Sequence, residues 1–277
     1  MLLTYVQAQE LMHASIQKKT ELDVSLDLGI SKSRVRIEEG RFILPDNQAL
    51  NLDHMRKIIK KDTICFVARD NDVLPASLFS EETNNYYKLV PTANWPTLEI
   101  SGIRMHVTKA MGPKEDTERK ISFVSPCTGK VLDTCTGLGY TAIMASKTAE
   151  EVHTFERDEN CIEVEKVNPY SSALFTEKKI IRHHEDVFEG IKKLQSDYFD
   201  CIIHDPPRQA LSTLLYSQEF YNQLYRVSRK GVRLFHYTGD PGAKRGLDIR
   251  AGIIKRLEMA GFKQVERVFN GVKCRKG

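Results

Sequence analysis

The sequence predicts an α/β protein, with a doubly wound parallel sheet in its second half and a smaller β-rich domain ahead of it. Three observations predict this. From about residue 107 onward, short apolar runs alternate with helical patterns, as a parallel sheet with crossover helices requires. Before that point the apolar residues mostly recur at every second position, which is typical of antiparallel strands. A polar, turn-rich stretch over 107–120 separates the two patterns.

The N-terminal domain is predicted to cover residues 1–106. Residues 1–18 have a helical pattern, and Asn51 is a candidate N-cap for a helix over 52–60, because an asparagine side chain can accept from the free N–H groups of the first turn. The alternating segments predict strands around 22–28, 35–37, 42–44, 64–67 and 86–90.

The second predicted domain covers residues 107–277. A helix over 159–167 is expected between its second and third strands, and a helix over 250–260 ends at Gly261. The C-terminal segments 262–268 and 271–274 are expected to form a closing hairpin. The parallel strands are predicted at 131–133, 151–155, 179–183, 199–204 and 231–237.

The composition excludes several classes of protein. A chain of 277 residues with 41% hydrophobic and 28% charged residues is typical of a globular protein. No apolar stretch approaches the ~18 residues of a membrane-spanning helix, and the first residues lack the features of a signal peptide, so we expect a cytoplasmic protein with no membrane partner. The six cysteines form no C-x-x-C pair, so neither a metal nor a dithiol site is predicted. Cys135, Cys161 and Cys201 are expected to be buried free thiols.

The net charge of +4 permits an RNA or an acidic protein partner without requiring one. Lysine and arginine cluster at 56–61, 226–233 and 273–276. Such clusters usually form a solvated face. The C-terminal cluster is the strongest candidate for a contact with phosphates, because chain ends are mobile and available.

The most informative segment is Val-Leu-Asp-Thr-Cys-Thr-Gly-Leu-Gly-Tyr-Thr-Ala, residues 131–142. An apolar strand ends at Asp133, a turn with Gly137 and Gly139 follows, and a helix of small residues starts near Tyr140. Glycine can take positive φ and lets the backbone approach a ligand, and the helix N-terminus supplies free N–H donors. The segment therefore predicts a nucleotide-like ligand at this turn.

Two classes of nucleotide site use such a turn. Dinucleotide sites carry G-x-G-x-x-G, whereas Ala142 stands at the third glycine position here. The segment matches D-x-x-x-G-x-G and so resembles the first motif of the class I S-adenosylmethionine-dependent methyltransferases. The resemblance implies a Rossmann-like sheet whose last strand is antiparallel, and S-adenosyl-L-methionine as the cofactor. It places the cofactor near Asp133, Thr134, Gly137, Gly139 and Tyr140.

Acids at the ends of the next two strands extend the predicted cofactor site. Glu156, followed by Arg157, ends the second strand about 20 residues after the first acid, where a carboxylate accepts from ribose hydroxyls. Asp186 and Val187 follow the third strand. In the resembled family an acid at this place bonds the adenine amino group.

The chemical step is expected at the end of the fourth strand, because ligands of open α/β sheets bind outside the carboxyl ends. Asp205-Pro206-Pro207-Arg208 resembles the D/N-P-P-aromatic motif of amino-methyltransferases. The resemblance implies that Asp205, beside the cofactor, and a proline carbonyl such as that of Pro206 accept hydrogen bonds from the attacking amine. Arg208 replaces the aromatic residue that would stack on a flipped base, and suits an anionic or planar group. His236, at the end of the fifth strand, is either a proton acceptor or a hydrogen-bonded core histidine.

A second resemblance competes with the first. Residues 215–224, after an Asp-Pro loop, look like the spermidine synthase family, which also places a small β domain before the same fold. This resemblance implies aminopropyl transfer from decarboxylated S-adenosylmethionine. That family has an acid after the glycines of the turn, whereas 136–140 has none, so aminopropyl transfer ranks second. A catalytically silent binding module ranks third, because the cofactor acids and Asp205 are all present.

From about Gly102 onward the sequence most resembles a group of predicted archaeal methyltransferases, through 133–142, 204–208 and 235–239. We therefore expect methyl transfer to a nitrogen on RNA, protein or a small amine. The acceptor and the role of the N-terminal domain stay open, as does the oligomeric state, a homodimer included. The loop 239–246 is a candidate lid.

Overall fold

The computed structural model describes residues 1–209, 211–239 and 249–277, and the chain divides into two compact units. The first unit comprises Met1–Lys114 and Asn160–Ser172, and the second Glu115–Glu159 and Ala173–Gly277. The sequence places a domain boundary at residue 106, and the assignment of domains stays a prediction. The candidate lid 239–246 lies outside the described residues, apart from Gly239.

The first unit is built from small antiparallel sheets and the helices α1 (Tyr5–Ile16) and α2 (Leu52–Ile59). Its strands are β1 (Leu2–Leu3), β2 (Glu21–Val24), β3 (Ser33–Glu38), β4 (Arg41–Ile43), β5 (Ala49–Asn51), β6 (Phe66–Arg69), β7 (Asp72–Pro75), β8 (Ser77–Ser80), β9 (Asn85–Val90), β10 (Thr97–Ile100) and β11 (Ile103–Arg104). The sheets have the strand orders β1-β6-β7, β2-β3-β4-β5 and β11-β10-β9-β8.

Local sequence explains these elements. Asn51 caps α2 by accepting a hydrogen bond from the His54 N–H at 3.0 Å, as predicted. In β3 the apolar Val35 and Ile37 are buried while their neighbours are exposed or half-buried, which is the period-two pattern of a sheet with one solvated face. The β-rich character predicted for the N-terminal region is confirmed.

The second unit contains a seven-stranded sheet of order β14-β13-β12-β15-β16-β18-β17. Its strands are β12 (Lys130–Asp133), β13 (Glu151–Phe155), β14 (Ile180–His183), β15 (Phe199–His204), β16 (Ser228–Tyr237), β17 (Phe262–Val268) and β18 (Gly271–Lys276). The strands β12 to β16 pair in parallel, and β18 is antiparallel to both of its neighbours. The predicted Rossmann-like sheet with an antiparallel last strand is confirmed.

Separate apolar clusters cover the sheet, as a doubly wound fold requires. The remaining helices are α3 (Pro113–Ser122), α4 (Tyr140–Ser146), α5 (Glu159–Val167), α6 (Ala173–Thr176), α7 (Val187–Lys193), α8 (Gln218–Val227) and α9 (Ile249–Ala260). Side chains of α7, α8 and α9 join one cluster, and side chains of α4 and α6 join another. None of the helices in the described part of the chain combines the length and the apolar character that a membrane crossing needs.

The strand order reverses at the middle of the sheet. The chain runs outward from β12 to β13 and β14, and then returns to place β15 on the other side of β12. Helices that leave β12 and β15 therefore diverge, and a crevice opens beyond the carboxyl ends of these strands. The end of β12 carries the glycine turn, and the end of β15 carries Asp205.

The polar stretch 107–120 contains the start of α3 at Pro113, a favoured first residue of a helix. One expectation from the sequence was wrong. The basic segment 273–276 is not a mobile chain end. It lies in β18, between β16 and β17, where its backbone is paired on both sides.

The two glycines of the turn permit a matched test of stability. Both have positive φ, +54° at Gly137 and +74° at Gly139, which costs alanine about 1–2 kcal/mol. A Cβ at Gly139 would also lie 2.3 Å from the Leu174 side chain, whereas a Cβ at Gly137 would meet no atom within 4 Å. We expect Gly139→Ala to lower the free energy of unfolding by about 1–3 kcal/mol more than Gly137→Ala, measured by urea denaturation. Equal losses would contradict the packing role of Gly139.

Candidate functional site

A solvent-open groove of about 450 Å³ lies beyond the carboxyl ends of β12, β13, β14 and β15. The structure brings five of the predicted cofactor residues together along it: Thr134, Glu156, Arg157, Asp186 and Val187. The groove is also lined by Cys135 and Pro207. Cys135 was expected to be buried and is half-buried here, and all six cysteines are free thiols.

Backbone hydrogen bonds fix Glu156 at the end of β13. Its Oε2 accepts from the Gly137 N–H at 3.3 Å, and its Oε1 accepts from the Asp158 N–H at 3.1 Å. These two bonds hold the carboxylate in one orientation beside the glycine turn. Because a Cβ at Gly137 would meet no neighbouring atom, this glycine gives the backbone an open side, and Gly139 instead packs against Leu174.

Asp133 lies beneath the turn and does not reach the groove. Its side chain is fully buried, and its oxygens accept from the hydroxyls of Thr141 at 3.0 Å and Thr154 at 2.7 Å. Burial raises the pKa of this carboxyl to about 7, although both hydroxyls oppose the shift. Tyr140 is 2% exposed and is part of the core. Asp133 and Tyr140 therefore lie beneath the groove and do not line it.

Asp186 closes the far side of the groove and begins α7. Its Oδ1 accepts from the Phe188 N–H at 2.8 Å, which is an N-cap bond, and its Oδ2 accepts from Arg157 Nη1 at 3.2 Å. Both partners of this ion pair are about half-exposed, so the pair orients the two side chains and adds little stability.

The structure pairs Asp205 with a residue that the sequence did not single out, Lys120 on α3. The Lys120 Nζ lies 2.7 Å from Asp205 Oδ2 and 2.9 Å from Asp116 Oδ2, and the lysine side chain is only 3% exposed. Burial lowers the pKa of Lys120, but the two carboxylates outweigh burial and hold the pKa above its ordinary value. The i,i+4 spacing of Asp116 and Lys120 is a local signal that could have indicated this pair, though not its contact with Asp205.

The second oxygen of Asp205 is available to a ligand. The side chain keeps 17% exposure, and Oδ1 accepts no hydrogen bond from the residues that the structure describes. Burial raises the pKa of Asp205, and Lys120 opposes the rise. The Lys120 ammonium also lies 4.3 Å from the centre of the Tyr237 ring. Burial raises the pKa of the Tyr237 hydroxyl to about 12, so this hydroxyl stays protonated.

The prolines after Asp205 occupy different environments. The Pro207 carbonyl accepts from the Tyr216 hydroxyl at 3.0 Å, so that the loop is tied to the segment that precedes α8. Pro206 is buried, and Arg208 is exposed. Of the two prolines, Pro207 lines the groove.

His236 lies in the core and not on the groove. It is fully buried, its Nδ1 donates to the His204 carbonyl at 3.3 Å, and its Nε2 accepts from the Tyr221 hydroxyl at 3.0 Å. Burial holds the pKa of His236 well below its usual value. This is the arrangement of a hydrogen-bonded core histidine, the second of the two interpretations that the sequence left open.

Comparisons with known proteins place the chain in a family. No family model matches it. It is 43% identical over 268 residues to the uncharacterized protein MJ1233 of the archaeon Methanocaldococcus jannaschii, and the match covers 94% of this chain and 90% of that one. The chain therefore belongs to the same family as that archaeal protein.

Solved structures share the fold at lower identity. A spermidine synthase in complex with the transition-state analogue AdoDATO has a TM-score of 0.60 at 20% identity and covers 73% of each chain. Spermidine synthase from Thermotoga maritima has a TM-score of 0.56 at 20% identity, over 73% of this chain and 72% of that one. A SAM-dependent methyltransferase from Aquifex aeolicus has a TM-score of 0.44 at 19% identity, over 57% and 88% of the two chains. The similarity to the two spermidine synthases, at 20% identity, concerns the fold and not the reaction.

A second buried histidine, His204, predicts how stability depends on pH. Its Nε2 donates to the Leu215 carbonyl at 3.0 Å, and its Nδ1 accepts from the Thr134 hydroxyl at 2.8 Å, so the ring is neutral. Burial lowers its pKa from 6.5 to about 3. Below pH 6.5 the unfolded state binds a proton that the folded state does not, so stability falls as pH falls, by up to about 1.4 kcal/mol per pH unit for this residue.

Urea denaturation above and below pH 6.5 tests this dependence. We expect His204→Gln, which keeps a donor and an acceptor, to lose stability less steeply than the wild type on acidification. The exposed His184, changed to Gln, is the control and should leave the slope unchanged. Identical slopes for wild type and His204→Gln would contradict the neutral buried state.

Proposed function

We propose that the protein is an S-adenosylmethionine-dependent methyltransferase that acts on a nitrogen acceptor. One observation carries this proposal: Asp205 stands at the carboxyl end of β15 with one oxygen held by Lys120 and the other open. The groove with Glu156 and the glycine turn lies at the ends of the neighbouring strands. A carboxylate in this position can receive a nitrogen that approaches a cofactor bound in the groove.

The groove residues fit the proposed cofactor. Glu156, held by two backbone N–H groups, would bind the ribose hydroxyls, and the open side of Gly137 leaves space for the ligand. The carboxylate of Asp186, oriented by Arg157, would face the adenine amino group. An unphosphorylated ribose suits a carboxylate, whereas a phosphate would be repelled by it.

Asp205 would orient the attacking nitrogen and stabilise the positive charge that develops on it. The cofactor would supply a methyl group on a positively charged sulfur, which becomes a neutral thioether when the nitrogen takes the methyl. Lys120 opposes the effect of burial on Asp205 and so favours its ionised form. Since Lys120 already neutralises one of the two carboxylates, Asp116 and Asp205, the cluster carries about one negative charge, which suits one ammonium ion.

Aminopropyl transfer is the second candidate, and the lining of the groove favours it. Three acids, Glu156, Glu185 and Asp186, line the groove, and of these Glu185 is paired with Lys193 and Asp186 with Arg157. Carboxylates suit the bare ammonium tail of decarboxylated S-adenosylmethionine as well as they suit the ribose. The spermidine synthase structures share the fold, but the pairing of Asp205 with Lys120 leaves fewer acids for a polyamine than that reaction needs.

Calorimetry separates the two candidates. We expect tighter binding of S-adenosylmethionine than of its decarboxylated form or of methylthioadenosine, because methyl transfer needs the complete amino acid tail. A preference for the decarboxylated form would favour aminopropyl transfer. Binding of none of the three ligands would refute both candidates.

Replacement of Glu156 tests the ribose contact. Glu156→Gln keeps one acceptor oxygen but removes the charge, and we expect it to weaken S-adenosylmethionine binding by about 1.5–3 kcal/mol, the scale of hydrogen bonds to a charged group. The control is Glu258→Gln, the same change at an exposed position of α9. Unchanged affinity in a folded Glu156→Gln protein would refute the ribose assignment.

Replacement of Asp205 tests the chemical step. Asp205→Asn should leave cofactor affinity nearly unchanged and strongly lower turnover at saturating acceptor, because the lost interaction tightens in the transition state. The acceptor is first found by incubating radiolabelled cofactor with RNA, protein extract and polyamines. Equal rates of label transfer by the wild type and Asp205→Asn would exclude the role given to Asp205.

A further inference from the structure

A row of like charges crosses one face of the sheet. Arg233 on β16 lies directly opposite Arg275 on β18, and Arg275 lies directly opposite Lys263 on β17. Directly paired residues project from the same face, and neighbouring strands are ~4.8 Å apart. Three cationic side chains therefore line up over about 10 Å. We call Arg233, Arg275 and Lys263 the cationic row.

The fold does not neutralise this row. Within the described residues no acidic side chain forms an ion pair with any of its members, and Arg233 donates instead to the Pro126 carbonyl. The next row differs, because Lys273 is paired with Glu266 at 3.0 Å. Like charges directly opposite each other destabilise a sheet. A cost of this kind, with no compensating acid in the described part of the fold, indicates an anionic partner outside it.

Two members of the cationic row, Arg233 and Arg275, line a solvent-open groove that also has an aromatic wall and contains the ion pair of Lys273 and Glu266. Phe123 lines this groove, is half-buried, and stacks on Phe235 with ring centres 5.2 Å apart. Cations together with an aromatic ring are the combination that binds a nucleic-acid strand through its phosphates and bases. An acidic peptide would use the cations but would have no need of the ring.

The groove lies near the chemical end of the site. Arg233, Phe235 and Tyr237 alternate along β16 and so project from the same face, and Tyr237 contacts Lys120 beside Asp205. Four residues of a strand span about 13 Å. Phosphates are spaced ~3.4 Å apart along the axis of a helical strand, so a few nucleotides cover the distance from the row to Asp205.

We propose that the cationic row binds the phosphate backbone of an RNA strand, and that RNA carries the nitrogen that is methylated. The second part rests on the proposed function, whereas the first does not. One residue from each of two basic clusters in the sequence, Arg233 from 226–233 and Arg275 from 273–276, lies at this surface.

Fluorescence anisotropy with a fluorescein-labelled single-stranded RNA tests the surface. We expect Lys263→Gln and Arg275→Gln each to weaken binding and to lower the slope of log K against log salt concentration by about 0.7, the value for one contact with a single strand. The matched control is Lys255→Gln on α9, an exposed lysine off the cationic row, which should leave both quantities unchanged. Arg275→Gln should also raise the urea midpoint, because it removes like-charge repulsion.

Several outcomes would overturn the proposal. These are no binding of the RNA by the wild type at low salt, equal weakening by Lys255→Gln and Lys263→Gln, or tighter binding of a polyglutamate peptide than of the RNA. Calorimetry with S-adenosylmethionine on the same proteins distinguishes failure of the RNA-binding proposal from failure of the proposed function. If the protein binds the cofactor but not RNA, only the proposal that the cationic row binds RNA is refuted. If it binds RNA through the row but not the cofactor, only the proposed function is refuted.

Discussion

The candidate site depends on one buried carboxylate. Asp133 ends β12, and its two oxygens accept from Thr141 on α4 and Thr154 on β13, so three neighbouring elements meet at a single side chain. Burying an acid lowers the stability of the fold unless the acid is hydrogen-bonded, and here the hydroxyls of Thr141 and Thr154 each donate their proton to Asp133. These two hydrogen bonds set the position of the glycine turn between β12 and α4. The turn then holds Glu156 through the Gly137 N–H. In the proposed site the acid of the motif would act on the ligand through the backbone that it positions.

A second interaction joins α3 to the carboxyl end of β15, where Asp205 lies. Lys120 bridges Asp116 and Asp205, and its ammonium rests on the face of Tyr237. A buried ion cluster of this kind adds little to stability relative to apolar packing, but breaking it strands a charge in the interior. Its main consequence is orientation, since it fixes which oxygen of Asp205 faces outward. The helix α3, which begins in the polar stretch where the two sequence patterns meet, therefore defines which oxygen of Asp205 a ligand can reach.

The fold was predictable because its signals are local. The strands over 151–155 and 199–204 were predicted from short segments with apolar residues between polar stretches, and the structure gives them the same bounds. Short exposed strands such as β8 and β11 were missed, since their apolar alternation is weak. In the site, the groove acids were predictable from spacing. The contact between Lys120 and Asp205 was not, because the two residues are 85 positions apart and only the folded sheet brings them together.

The insertion of β18 between β16 and β17 has a consequence for the order of assembly. β17 precedes β18 in the chain but joins the sheet only through it, because among the described residues β17 pairs with no other strand. Until β18 is in place, β16 has an open edge of unpaired backbone groups, and such edges recruit strands of other chains. Closing this edge therefore requires one strand, β18, to pair with two partners. Loss of β18 alone would release both β17 and the charged face that the three strands build together.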